Sequence, residues 1–459
     1  MLQVVQAFDR ALITEIPTED AAALEAKLQA AQKVFADRSG WLKPHQRIEI
    51  LRKMAAIMET RRDHLALQIA REGGKPLADA IVETTRAIDG VRNAADELRN
   101  FAGKEIPMGL TAASDGRWAF TTKEPIGIVA AISAFNHPLN LIVHQVAPAI
   151  AVGCPVIVKP AGPTPLSCLE FVAIAHEAGL PEPWAQTFIP DSTALAEKLA
   201  TDNRIAFLSF IGSPKIGWML HHKLTPGARS ALEHGGAAPA IVDASADLER
   251  IIEPIVKGAY YHAGQVCVST QRIFVHEKLR GEFVERLSAR VAKLRTGDPT
   301  KPDTDVGPLI HPRETARISA WIEDAQGGGA KVIGGGRLSE TTLLPSIVLD
   351  APTDSDISQD EVFGPTVCVY SFKDLDDAIA RANAVAWSFQ ASIFAQDIDV
   401  ALRAAERLEA SAVMINDPTA FRVDWMPFTG RKQSGYGTGG IPYSMHDMAQ
   451  DKMIVLRRR

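Results

Sequence analysis

Residues 126–160 read IGIVAAISAFNHPLNLIVHQVAPAIAVGCPVIVKP. The runs Ile126 to Ile132 and Pro155 to Val158 are short and continuously apolar, the pattern of strands buried on both faces of a parallel sheet. Between them, Asn140 to Ala151 has apolar residues at helical spacing. Strand, helix, strand is the βαβ rhythm of a doubly wound domain. The stretch does not cross a membrane, because Asn136, His137, Pro138, Asn140, His144 and Pro148 interrupt it before the roughly 20 apolar residues that a span requires.

Working outward, Leu166 to Gly179 has helical spacing, and a strand at Ile205 to Phe210 ends in Gly212-Ser213. The alternation restarts after Glu233 with Ala240, Ile241 and Val242, which puts a boundary near residues 233–236 and a second α/β domain beyond it. Toward the N-terminus, a helix is expected from Thr18 with Glu19 and Asp20 in its first turn, then one through Ile48, Leu51, Ala55 and Met58, and a third from about Leu77 to Phe101. The triplets Gly327–Gly329 and Gly334–Gly336 read as turns flanking a strand, since no Lys-Ser/Thr follows to make a phosphate loop.

A chain of 459 residues predicts two or three domains. Hydrophobic residues at 46% and charged residues at 23% belong to a globular protein. With 49 basic against 55 acidic side chains, and no basic stripe beyond Arg457–Arg459, nucleic acid is not an expected partner. Four cysteines without a CxxC pair make neither a disulfide framework nor a zinc site, so no metal is expected. The N-terminus has no basic n-region or cleavage site, and a cytoplasmic address is expected.

Cys267 follows Gly264-Gln265-Val266, a small and flexible backbone that a substrate can approach. A thiol is a strong nucleophile once ionised, although an inert buried cysteine fits the same residue. Cys154 and Cys368 sit in strand-like runs and Cys168 in a helix. Glu233 precedes paired glycines at the domain seam, as a general base or a surface carboxylate. Asn136 and Lys159 each leave a buried strand at its carboxyl end, where open α/β sheets place ligands. Turn chemistry before Pro138 and a solvated lysine are the plain alternatives.

Taken in order, Phe135-Asn136-x-Pro138, Val158-Lys159-Pro160, Gly212-Ser213, Glu233-x-Gly235-Gly236, Gly264-Gln265-x-Cys267, Glu361-x-Phe363-Gly364-Pro365 and Pro427-Phe428-x-Gly430-x-x-x-Ser434-Gly435 resemble the aldehyde dehydrogenase superfamily. The resemblance runs from about residue 10 to 456. It implies two doubly wound α/β domains plus a small β oligomerisation flap: residues 1–104 and 126–234 binding the dinucleotide, 235–435 catalytic, and 105–125 with 449–459 forming the flap of a homodimer or homotetramer. It implies oxidation of an aldehyde to a carboxylic acid with NAD or NADP. Cys267 would be the nucleophile, Asn136 the oxyanion donor and Glu233 the base that hydrolyses a thioester.

By the same resemblance, Lys159 and Glu361 would meet the two ribose rings, Gly212 and Ser213 the pyrophosphate, Ile132, Ser133, Ala134 and Phe135 the cofactor cleft, and Phe363 and Phe428 the nicotinamide and aldehyde tunnel. Gly162 stands where NAD-preferring members often carry Glu, so NADP should be tolerated. The turn Ile189 to Ala194, His234, Ala237 and Thr429 also depart from the usual pattern. The loop Phe421 to Met426 looks like the branch of lactaldehyde, phosphonoacetaldehyde and non-phosphorylating glyceraldehyde-3-phosphate dehydrogenases. There Arg422 would meet an anionic substrate end, or make an internal contact with Asp424 or the backbone that shapes the loop. Acyl transfer to coenzyme A, or a lapsed dinucleotide-binding protein of the same fold, are the rival functions.

Overall fold

In the computed structural model, which describes residues 1–458, strand Ile128–Ile132 pairs in parallel with Val156–Lys159 on one side and with Ile205–Ile211 on the other. Arg229–Glu233 and Ala185–Thr187 extend this sheet in parallel, and Gly435–Tyr436 closes one edge antiparallel, with Gly435 opposite Glu233. Consecutive strands thus leave Ile128–Ile132 in opposite directions, which opens a crevice at its carboxyl end. The residues 133–138 occupy that edge.

A second sheet of seven strands has Thr270–His276 and Ala238–Val242 at its centre, flanked by Thr366–Phe372 and Gln390–Phe394. A third sheet pairs Ala449–Arg457 with Arg117–Pro125 along their whole length and adds Glu105–Ile106. Helix Asn140–Val152 is buried on every side, which explains why its sequence is apolar nearly all round. No helix among the described residues is long and apolar enough to cross a membrane.

Several local readings are corrected. The first helix is Ala21–Ala36 with Asp20 as its N-cap, accepting from the Ala23 N–H. Glu19 lies outside it: its backbone N–H donates to the Ile189 carbonyl and its carboxylate accepts from the Ile189 N–H, so it fastens the turn before helix Thr193–Thr201. A hairpin, Leu2–Val5 with Leu12–Ile16, and a helix, Arg62–Gly73, add to the expected elements. Cys154 sits between a helix and a strand and not within the strand.

Helix Leu77–Glu97 carries Asp79, Glu83 and Arg86 at helical spacing on one face, and each is tied to a different loop. Asp79 takes the Lys257 ammonium and the His262 N–H. Glu83, wholly buried, pairs with the wholly buried Lys75 and accepts the Leu139 and Asn140 N–H groups at 3.0 and 3.1 Å, capping the helix that follows Asn136. Arg86 grips Asp424. Removing one partner of a buried ion pair costs about 3–5 kcal/mol. Glu83→Ala should therefore lower the urea midpoint of unfolding markedly; an unchanged midpoint would show that the cap contributes nothing.

Candidate active site

The carboxyl ends of the first sheet and the loop before Thr270–His276 face one cavity of about 450 Å³. Ile132, Ser133, Ala134, Phe135, Asn136, Lys159, Gly212, Ser213, Glu233, Cys267, Glu361, Phe363, Arg422 and Phe428 all line it. Residues far apart in sequence therefore share one space of ordinary ligand-site size. Gly162 is the exception: it is not on the cavity wall, although the next-but-two residue before it, Lys159, and its neighbour Ala161 are.

The thiol loop is a strained turn. His262, Ala263 and Gly264 have φ of 48°, 54° and 70°, three successive left-handed residues. A Cβ at Gly264 would lie 2.1 Å from the Gly364 carbonyl oxygen, so only glycine fits where this turn crosses the Glu361–Gly364 segment. The Gln265 side chain clamps the turn, donating to the His262 and Pro308 carbonyls and accepting from the Ile310 N–H. Asn136 Nδ2 donates to the Gln265 carbonyl at 2.9 Å, which joins the two loops. An amide nitrogen has two hydrogens, and the second is left for the cavity.

The charged groups fall into two sets. Glu233 makes no ion pair or hydrogen bond through its carboxylate with any described residue, and Lys159 has no carboxylate partner among them. Glu361 accepts the Gly236 N–H at 3.0 Å through one oxygen, and a Cβ at Gly235 would fall about 2.0 Å from this carboxylate, so the paired glycines make room for it. Helix Pro214–His222 starts beside Gly212-Ser213 without a side-chain cap; its first residue is proline and the Ile216 and Gly217 N–H groups donate to the Ser213 carbonyl, so its positive end faces the cleft chiefly as a dipole. An unpaired ammonium, a half-free carboxylate and an uncapped helix start along one cleft fit the ribose hydroxyls and pyrophosphate of a dinucleotide.

The pattern describing the aldehyde dehydrogenase family matches residues 1–454. The chain belongs to the aldehyde dehydrogenase family. It is 36% identical over 414 residues to the 3-sulfolactaldehyde dehydrogenase of Priestia aryabhattai, covering 90% of this chain and 86% of that protein. Aldehyde dehydrogenase 21 of Physcomitrella patens, solved with its reaction product succinate, superposes with a TM-score of 0.96 at 34% identity, covering 100% of this chain and 95% of that one. The NADP complex of glyceraldehyde-3-phosphate dehydrogenase from Methanocaldococcus jannaschii gives 0.95 at 31%, covering 100% and 99%. As a member of this family the protein is an NAD(P)-dependent oxidoreductase that oxidises aldehydes to acids.

In this aldehyde dehydrogenase, burial pushes the Cys267 thiol up to about 12, while Arg422 and the residue's own backbone N–H pull it down and Glu361 and Glu233 push it further up. Burial likewise raises Glu233 above the usual carboxylate range, with Arg422 opposing, and raises Glu361 to about 8. Arg422 is thus the cation that both the thiol and the unpaired carboxylate feel. Its guanidinium lies 3.5 Å over the Phe428 ring, and its Nε has no partner. The internal contact with Asp424 weighed from sequence is not made. Asp424 is taken by Arg86, His144 and Asn140.

Sequence reasoning passed over Arg86, His137, His144 and Tyr261. Arg86, His137 and Tyr261 line the cavity, while His144 stands behind Arg422. The charged stripe Asp79, Glu83, Arg86, at spacing where a buried helix face should be apolar, was the available signal. Since burial holds the Cys267 thiol up at about 12 against the pull of Arg422, alkylation of Cys267 by iodoacetamide should keep accelerating well above pH 9 in the free enzyme. Arg422→Met should slow it at any fixed pH; a faster reaction would refute that electrostatic assignment.

Proposed function

We propose that the protein oxidises a small anionic aldehyde through a thioester on Cys267, with hydrolysis driven by Glu233. The observation that carries this reading is one cavity wall holding a thiol, an amide, an unpartnered carboxylate and a guanidinium that no carboxylate neutralises. Ionised Cys267 forms a bond to the carbonyl carbon, and the carbonyl electrons move to oxygen. The free Asn136 N–H and the Cys267 backbone N–H hold that oxyanion; one such donor contributes about 2.7–4 kcal/mol. A dinucleotide held along Lys159, Glu361 and Gly212-Ser213 would supply the hydride acceptor, and loss of hydride from the former carbonyl carbon as the carbonyl re-forms would leave a thioester on Cys267. Glu233 then removes a proton from water, whose oxygen attacks the thioester; the carbon–sulfur bond breaks and the acid departs.

Lys159, Glu361 and the start of helix Pro214–His222 would hold the dinucleotide, with Ile132–Phe135 and Phe363 along it. Gly162 carries no carboxylate to repel a 2′-phosphate, which favours tolerance of NADP. Arg422 would receive the anionic end of the aldehyde over Phe428, while Arg86 is committed to Asp424. The names of the similar proteins fit this reading: a sulfonate, a phosphate and the carboxylate of succinate are all anions. An available Glu233 favours water over coenzyme A as the acyl acceptor. The sheet of Arg117–Pro125 and Ala449–Arg457, with Trp118, Met453 and Leu456 exposed, is the proposed surface of a homodimer or homotetramer.

The deciding experiment compares succinic semialdehyde with butyraldehyde, its uncharged counterpart of equal chain length. Arg422→Met should reduce kcat/KM for the anionic aldehyde about 10- to 100-fold more than for the neutral one, the worth of one charged hydrogen bond of about 1.5–3 kcal/mol, because both substrates lose the help Arg422 gives the thiolate and only the anionic one also loses its partner. Equal loss for both would reject the anion assignment. Cys267→Ala should make no NAD(P)H. Glu233→Gln should accumulate an acyl adduct by mass, and deacylation in the parent should accelerate as pH rises past the ordinary carboxylate range, because the base acts when ionised.

Cofactor choice is tested separately. A Cβ at Gly162 meets nothing within 4 Å, so Gly162→Glu fits without strain. It should cut kcat/KM for NADP at least tenfold relative to NAD; an unaltered ratio would place the 2′-group elsewhere.

A further inference from the structure

We infer that His144 is a specificity-positioning residue that holds the Arg422 guanidinium in its aldehyde-facing pose. This inference rests on the reading of Arg422 as the receptor of an anionic substrate end.

The donors and acceptors around His144 allow one tautomer. Arg422 Nη2 lies 3.4 Å from His144 Nδ1, and a guanidinium can only donate, so Nδ1 is an unprotonated acceptor. Nε2 lies 2.8 Å from Asp424 Oδ1 and therefore carries the hydrogen and donates to it. Asp424 is itself fixed, gripped by Arg86 at 2.7 and 3.2 Å and by Asn140 Nδ2 at 3.1 Å. Burial, then the neighbouring Arg422, hold the imidazole down to about 4, so it stays neutral. A carboxylate thus selects the tautomer, and the tautomer presents a lone pair to the arginine.

That lone pair is the only hydrogen-bond acceptor the Arg422 side chain has among the described residues. With one face on Phe428 and one edge on His144, the guanidinium is held without being neutralised, because the nearby acid is committed to Arg86. Direct pairing with Asp424 would have fixed Arg422 equally well but removed its attraction for an anion. Without His144, the unpaired carboxylate that senses Arg422 is Glu233, and the guanidinium would turn toward it.

The test uses His144→Phe, which fills the space without an acceptor, His144→Leu as a second apolar replacement, and His144→Asn, whose side-chain oxygen can stand where Nδ1 stands. Arg422→Met is measured beside them on succinic semialdehyde and butyraldehyde. His144→Phe or His144→Leu should raise KM for succinic semialdehyde at least tenfold, with KM for butyraldehyde within about twofold, and His144→Asn should recover most of the loss. If Arg422→Met abolishes discrimination while the apolar variants keep it, the His144 inference falls and the reading of Arg422 stands. If Arg422→Met itself leaves discrimination intact, the underlying reading fails. Equal damage to both substrates, or no rescue by Asn, assigns His144 a general structural role and overturns the inference.

Discussion

Three charged side chains on one face of helix Leu77–Glu97 bear the cleft. Asp79 holds the strained turn ahead of Cys267, Glu83 caps the helix that follows Asn136, and Arg86 fixes Asp424 in the loop that carries Arg422. Burying such charges is costly unless each is paired and its remaining lone pairs are used. Here every partner comes from a different segment, so the electrostatic requirement of one helix is met only when three distant loops sit where they do. The thiol, the amide and the guanidinium are thereby located by a single rigid element, and the Asn136–Gln265 bond adds a direct tie between the amide and thiol loops.

The turn before Cys267 shows the same logic at short range. Left-handed non-glycine residues cost of the order of 1–3 kcal/mol each, and His262 and Ala263 are consecutive. They persist because Gln265 makes three hydrogen bonds around them, Asp79 takes the His262 N–H, and Asn136 caps the Gln265 carbonyl. Strain in the turn ahead of Cys267 is held by contacts from the helical layer, the first sheet's edge and the Pro308–Ile310 segment together.

The doubly wound core was legible because parallel strands buried on both faces leave continuous apolar runs, as at Ile128–Ile132 and Val156–Lys159. Within the ordered motifs, Asn136, Lys159, Gly212, Ser213, Glu233, Cys267, Glu361, Phe363 and Phe428 could be picked out too, and they share one cavity. What escaped depends on partners distant in sequence. Glu19 looked like a helix-start acid until Ile189 was beside it, and the helix Arg62–Gly73 follows the preceding helix without a glycine or proline to mark the break. His144 lies in a helix apolar all round, where periodicity cannot say which polar atom faces the cleft. Gly162 was placed by motif spacing alone, and its backbone stands off the cavity wall.

The charge balance of the cavity carries one more consequence. Arg422 lowers the thiol's proton affinity and also that of Glu233, so in the free site the same cation that assists the nucleophile weakens the base. An anionic group seated on Arg422 would cancel much of that field. In the bound complex Glu233 would then regain basicity for the hydrolysis proposed above. In the proposed reading, holding Arg422 by a neutral imidazole instead of a carboxylate leaves its charge available to act on Cys267 before binding and on the substrate after it. A neutral aldehyde would leave the field in place through deacylation, so discrimination would arise in the second half of the reaction as well as in binding.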